Sequence, residues 1–332
     1  YKRQELGGNH TDHQGGYGLA AAVTLDMVAV AARNTDGYVR VKSRGFNKLD
    51  VIDLATAEPQ AGESTHSASL IRGIAEGFRA VGKQIGGFDA YTASDVLRGS
   101  GLSSSAAFEM GMASIWNEEY STGLTLAELA GICQYAENTY FGKPSGLMDQ
   151  TASSVGGAVA IDFADPAEPV VRSVAVDLES LGYALCIIDS GASHAALTGE
   201  YASIPEEMGA VAAYFGRKVL REVDEAELLR DLPELRRAAG DRAVLRAMHF
   251  FADDRRSAEE ADALERGDID AFLALVRESG RSSWELLQNI TPTGAAKEQA
   301  MAVALAVAER ALAGRGACLL YTSPSPRDGL LS

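Results

Sequence analysis

The sequence predicts a mixed fold of strands and helices with room for two domains. The chain has 332 residues, 46% of them hydrophobic, which is enough to fill two separate cores. β-prone runs alternate with helix-period runs over the first 190 or so positions. From Tyr201 to Ala313 nearly everything is helix-period and charged on its outer face, with breaks near Gly240, Gly267 and the Thr291-Pro-Thr-Gly294 stretch.

Composition narrows the function. A formal net charge of −16 argues against a nucleic-acid partner and for a soluble cytoplasmic protein. No apolar run reaches membrane-spanning length, so no membrane partner is expected, and nothing at the start resembles a signal peptide. Cys133, Cys186 and Cys318 lie far apart without metal-ligand spacing, which suits a reducing compartment. The first residue is Tyr1 rather than Met, so the natural N-terminus is expected to be missing.

The chain opens with a glycine-rich polar loop, Leu6 to Gly18, after Arg3 and Glu5. Asn9, His10, Thr11, Asp12, His13 and Gln14 pack donors and acceptors into a short span, as recognition of sugar hydroxyls requires. A solvated turn or a metal site from His10, Asp12 and His13 would use the same residues. The metal reading lacks a further ligand cluster, because His66, His194 and His249 are scattered. Leu19 to Ala32 reads as β-structure, and Asn34 to Gly37 as a hairpin turn into a strand over Tyr38 to Lys42. Thr65 to Val81 has helical spacing through Leu70, Ile74 and Phe78, ended by the glycines of Gly82 to Gly87.

Ser94 to Met110 is the stretch around which the chain is organised. A β-prone run (Phe88, Tyr91, Val96) enters it, and a helix with Phe108, Met112, Ile115 and Trp116 on one face leaves it. Gly99, Gly101 and Ser103 to Ser105 lie between. Such a turn points unpaired N–H groups at one spot, where the helix dipole favours an anion, and its hydroxyls suit phosphate or Mg²⁺. A plain strand–turn–helix junction with serine capping is the alternative.

Thr125 to Glu128 is a capping box starting a helix with Leu126, Leu129, Cys133 and Tyr140 inward, closed near Gly142. Glu137 falls in its last turns, where the dipole disfavours a carboxylate, so it is either solvated or held by a cation. Pro144 and Gly146 shape a turn before Asp149, a carboxylate available as helix cap or as base. Val155 to Phe163, Val170 to Val176 and Tyr183 to Asp189 read as strands. Leu319 to Ser332 lacks any periodicity and looks like translated adapter read-through, so it is set apart from the fold.

Three of these stretches resemble the galactokinases of the GHMP kinase superfamily. His10-Thr11-Asp12 with Arg3 upstream resembles the sugar signature, and Gly99 to Ser105 the phosphate loop. Gly146-Leu-Met-Asp149-Gln resembles the catalytic-aspartate segment, with Glu137 at the family's spacing before it. The resemblance implies a two-domain α+β fold with the active site in the interdomain cleft. Residues 1–165 would form the sugar- and phosphate-binding domain and 166–318 an incomplete second domain. It also implies transfer of the ATP γ-phosphoryl to the anomeric hydroxyl of galactose. By that resemblance Asp149 and Arg3 are catalytic, Asn9, His10, Asp12, Gly146 and Tyr201 bind sugar, and Gly99, Ser100, Gly101, Leu102, Ser103, Ser104 and Ser105 bind ATP. Ser105 and Glu137 would hold Mg²⁺.

Departures from the family pattern are Asn9 for glutamate, Glu5 for asparagine, His13 for tyrosine and Leu97 for proline. A third glycine-rich loop, due shortly after Cys318, is absent. The chain is therefore expected to be a fragment lacking both natural ends, with negligible kinase activity as it stands. The alternatives are a kinase for an N-acetylated or acidic hexose, a non-catalytic sugar or nucleotide sensor, and a metal-dependent hydrolase. Arg3, Glu137 and Asp149 together favour the enzyme, since a sensor need not keep all three.

Overall fold

The computed structural model describes residues 2–23, 26–60, 62–95, 104–143, 145–166, 168–186, 188, 198–294 and 296–315. Leu319 to Ser332 and Cys318 lie outside them. In chain order the elements are β1 (Lys2–Gly7), β2 (Tyr17–Val23), β3 (Met27–Arg33), β4 (Tyr38–Ser43), β5 (Leu49–Asp53) and α1 (Ser67–Ala80). Next come β6 (Phe88–Ser94), α2 (Ser104–Glu119), α3 (Leu126–Ala136), α4 (Met148–Val155), β7 (Ala158–Asp162) and β8 (Val170–Val174). The rest is helical: α5 (Thr198–Tyr214), α6 (Glu225–Arg230), α7 (Leu232–Ala239), α8 (Asp241–Glu265), α9 (Ile269–Ser282) and α10 (Ala300–Leu312).

Two compact units interleave along this order. Ala22–Gly156 belongs to one, and Glu5–Ala21 joins the chain from Gly157 onward in the other. The physical reason is strand pairing. β2 bonds antiparallel to β7, with Leu19 opposite Ala160, so the start of the chain is tied to a sheet completed 140 residues later.

In the first unit the sheet order is β3-β6-β4-β5. The expected hairpin between β3 and β4 does not form. β6 lies between them, antiparallel to β3 and parallel to β4, with Val41 opposite Ala90. A turn signal at Asn34–Gly37 fixes a change of direction but not the neighbour. Here Phe88, Ala90 and Thr92 of β6 are buried beside Val39 and Val41 of β4, a packing that a two-stranded hairpin could not supply. Leu70, Ile71, Ile74 and Phe78 of α1 and Met112 and Trp116 of α2 are buried in the same unit. Trp116 stands edge-on to Phe88, ring centroids 5.0 Å apart, and donates its Nε1–H to the Gly86 carbonyl at 3.0 Å.

The capping box before α3 is present: the Thr125 hydroxyl accepts from the Glu128 N–H at 3.3 Å, and the Glu128 carboxylate accepts from the Thr125 N–H at 2.8 Å. Leu129, Cys133 and Tyr140 are buried as expected, but Leu126 is exposed. Residues 125–128 are exposed throughout, so the first turn has no inward face.

The second unit carries the sheet β1-β2-β7-β8. Leu6, Leu19, Ala160 and Val174 from it pack with Ala261 and Leu264 of α8 and Phe272 and Val276 of α9. A second cluster is helical and includes Ile204, Met208, Val211, Leu220, Phe250 and Leu287. The strand expected from Tyr183 is not formed at residues 183–186, and Leu185 and Ile188 are exposed. Among the described residues no helix is long and apolar enough to cross a membrane.

Candidate active site

The glycine loop leaves β1 at Gly7 and returns into β2 at Tyr17. Gly8 has φ +83°, and a Cβ there would stand 2.3 Å from the Tyr17 carbonyl oxygen, so only glycine fits. The Thr11 hydroxyl donates to the Gly8 carbonyl at 2.8 Å, and a 3₁₀ turn over Asp12–Gln14 follows. The loop places His10, itself at φ +61°, against Tyr201 of α5, ring centroids 5.0 Å apart. His10 also stands 5.6 Å from the His13 ring, whose pKa is lowered by burial, an effect that Asp12 partly offsets. Asp12 is half-buried and its carboxylate accepts the His13 N–H at 2.9 Å. A non-glycine residue at positive φ is strained and persists where its surroundings fix it.

Those surroundings come from α8 and α9. Asp253 accepts the Asn9 N–H at 3.0 Å, and the His249 ring nitrogen Nε2 meets the Asn9 carbonyl at 2.9 Å. The carbonyl can only accept, so Nε2 carries the hydrogen, and Nδ1 then accepts from the Ser282 hydroxyl at 2.8 Å. Burial lowers the His249 pKa, consistent with that neutral ring. The Asn9 side chain is engaged as well, its Nδ2 donating to Ser283 at 2.9 Å. The residue before the strained His10 is thus held on both backbone groups and by its side chain.

One buried carboxyl beside this loop is chemically out of place. Glu260 of α8 is fully buried over Gly7, and neither of its oxygens has a hydrogen-bond partner among the described residues. A side chain at position 7 would collide with it. Burial, and next Asp253, push its pKa well above the carboxylate range. A folded-state value raised in this way contributes stability below the unfolded value of about 4.3, and that contribution is lost as pH rises. Glu260→Gln should therefore be more stable than the parent by about 1–3 kcal/mol at pH 8, a gap that shrinks toward pH 5. Thermal melts at both pH values check this; a gap independent of pH would show that Glu260 does not titrate with folding.

In the first unit, α3 ends in a π turn over Glu137–Phe141. Gly142, at φ +82°, reverses the chain, and the Gly142 and Lys143 N–H groups both donate to the Glu137 carbonyl at 3.0 Å. That reversal brings the Lys143 ammonium onto the Glu137 carboxylate, Nζ to Oε1 at 3.0 Å. Ser105 donates to the same oxygen at 2.8 Å, and Gln150 Nε2 donates to Oε2 at 2.9 Å and to Glu109 at 3.1 Å. Glu137 is fully buried. Burial alone would raise its pKa, but Lys143 and the hydrogen bonds outweigh burial and hold it below the ordinary value. Of the two sequence readings, solvated or held by a cation, the cation holds. Cys133 nearby is pushed well up, first by burial and then by Glu109 and Glu137.

Each expected site residue can now be located. Asn9, His10, Asp12 and Tyr201 gather in the second unit, whereas Ser105, Glu137, Gly146 and Asp149 lie in the first. Asp149 is the second residue of α4, with Leu147 rather than Asp149 in the cap position, and is half-buried. Gly146 is half-buried just before that helix. Arg3 lies in β1, but its side chain is outside the description, as are residues 99–103 and the side chain of Ser104. Sequence reasoning missed Lys143, Gln150, His249 and Asp253. The i, i+4 placement of His249 and Asp253 marks one helix face, but nothing local names Asn9 as its target.

The chain is similar to known proteins in both sequence and fold. The family described as GHMP kinases N terminal domain matches residues 69–157, and the galactokinase galactose-binding signature matches residues 3–33. A galactokinase of Streptomyces coelicolor is 34% identical over 84% of this chain and 72% of its own length. A galactokinase of Homo sapiens is 32% identical over 84% of this chain and 71% of its own. Among solved structures, Lactococcus lactis galactokinase complexed with galactose aligns with TM-score 0.73 at 23% identity, covering 88% of this chain and 75% of that one. The mevalonate kinase of Methanococcus jannaschii aligns with TM-score 0.52 at 15% identity, covering 88% and 78%. These structural likenesses support the α+β GHMP kinase fold.

Proposed function

This chain belongs to the galactokinase family of GHMP kinases, and from that premise we infer that it transfers the γ-phosphoryl group of ATP to the anomeric hydroxyl of galactose. The observation that carries the sugar half is the glycine loop, clamped at Asn9 and setting His10 against Tyr201. On this reading His10, Asp12, Tyr201 and Gly146 bind the sugar, and the loop at 99–105 binds the ATP phosphates. Phosphoryl transfer passes through a loose transition state, so positioning and charge do most of the catalysis. Asp149 orients the anomeric hydroxyl and takes its proton, and Arg3 keeps that carboxylate ionised and meets charge on the transferring group. The cytoplasm, where thiols stay reduced and ATP is present, is the compartment we assign.

As the complex with ATP, Mg²⁺ would supply charge neutralisation of the phosphates to this reaction. The Ser105 and Glu137 side chains, as the structure sets them, do not fit a resident divalent ion, because both Glu137 oxygens already accept hydrogen bonds and one faces an ammonium. Mg²⁺ demands octahedral geometry and keeps several waters, and Glu137 is wholly buried.

A coupled ADP-release assay over a panel of hexoses, run on a version extended to the length of its relatives, tests the reading, with galactose expected to give the highest kcat/KM. One observation favours a second reading, a kinase for an N-acetylated or acidic hexose. The Asn9 amide, which departs from the glutamate of the family pattern, is turned to Ser283. Asn9→Glu should raise kcat/KM for galactose if that position was traded for another sugar. An unchanged value would mean that position 9 does not select the substrate.

A further inference from the structure

The carboxylate expected to hold a divalent ion is instead paired with a lysine by the chain's own geometry. The π turn and Gly142 fix where Lys143 returns, since its backbone N–H and its ammonium both bond to Glu137. Lys143 is almost wholly buried, as are Glu109, Glu137 and Gln150, so this is no loose surface pair. Among the described residues the cluster holds two carboxylates, bridged by Gln150, and one ammonium. A divalent ion on Glu137 Oε1 would have to displace both Ser105 and Lys143. It would also bring a double positive charge beside a single one with little water to screen them, which is costly at a few ångströms.

We propose that Lys143 is the cation of this site, supplying in cis the charge that a bound divalent ion would otherwise supply to Glu137, so that the protein free of nucleotide holds no Mg²⁺ on Ser105 and Glu137. The kinase reading enters only in naming Mg²⁺ as the ion concerned. The metal reaches the active site with the nucleotide, not ahead of it. Lys143 has a second consequence. Because it neutralises a buried carboxylate, removing it should leave a site that seeks a replacement cation.

The test uses the whole chain without nucleotide or sugar, by thermal melting and by the Mn²⁺ electron spin resonance signal during titration. The parent protein should bind no Mn²⁺ through Glu137, and Glu137→Gln should leave its titration unchanged. Lys143→Met should lower the melting temperature by about 5–10 °C. In that variant Mn²⁺ should recover much of the loss and bind roughly tenfold more tightly than to the parent. Lys143→Met combined with Glu137→Gln should lose the metal response. Lys143→Gln, which keeps a donor but no charge, carries the same expectation if the methionine variant does not fold. Parent binding of Mn²⁺ that Glu137→Gln abolishes would overturn the proposal, and so would Lys143 variants that gain no metal response. Neither readout needs turnover, so a version extended to the length of its relatives that failed to phosphorylate galactose would count against the proposed function alone.

Discussion

In a version extended to the length of its relatives, replacing Asp149 with asparagine is expected to lower turnover by about 10²- to 10⁴-fold while leaving ATP binding nearly intact. The amide has the shape of the carboxylate but cannot accept the anomeric proton. Asp149 lies in the first turn of α4, where the helix dipole favours a negative side chain. The anomeric hydroxyl is acidic for an alcohol and needs a well-placed acceptor more than a strong base. Turnover in the coupled assay and nucleotide affinity by calorimetry, measured side by side, check this. Full turnover in the variant would remove Asp149 from the chemistry, and equal loss of both would point to a folding role.

The second large effect is expected at Asp253, far from the motifs. Its carboxylate is buried and accepts from the Asn9 N–H, from the Ser279 hydroxyl at 3.2 Å and from Arg256. Asp253→Ala leaves all three donors without that acceptor, one of them a cation, so a loss of about 3–5 kcal/mol is expected. Asp253→Asn keeps an acceptor oxygen and should lose less. If the clamp positions the glycine loop, Asp253→Asn should raise the KM for the sugar while the KM for ATP holds. Chemical denaturation and the two KM values together decide the matter. A stable Asp253→Ala protein with unchanged sugar KM would show that the loop is held without the clamp.

Local signals in the sequence were dependable where the physics is local. The capping box at Thr125 and Glu128, the buried helix face of Met112 and Trp116, and the helix breaks at Gly240 and Gly267 all formed as read. Each depends on residues a few positions apart, whose geometry is set by one helical turn. Glu137 was legible in part, because its place at a helix end demanded either water or a cation. Which of the two applied depended on the turn that brings Lys143, six positions further on, back to it.

The failures have the opposite character. A hairpin was expected where β6 enters from 50 residues away, and a strand was expected from Tyr183 where no partner strand pairs with it among the described residues. Apolar alternation reports that a segment can join a sheet, not which strand it will meet. The family was legible in three motifs that resemble its sugar signature, phosphate loop and catalytic-aspartate segment. Tertiary structure alone decided that Asn9 is gripped by His249 and Asp253, some 240 positions along the chain. It also decided that Glu109 and Glu137 share Gln150 and that Glu260 is buried over Gly7. Hydrogen bonds between buried groups are set by which elements pack together, and periodicity along a single element carries no record of its partner.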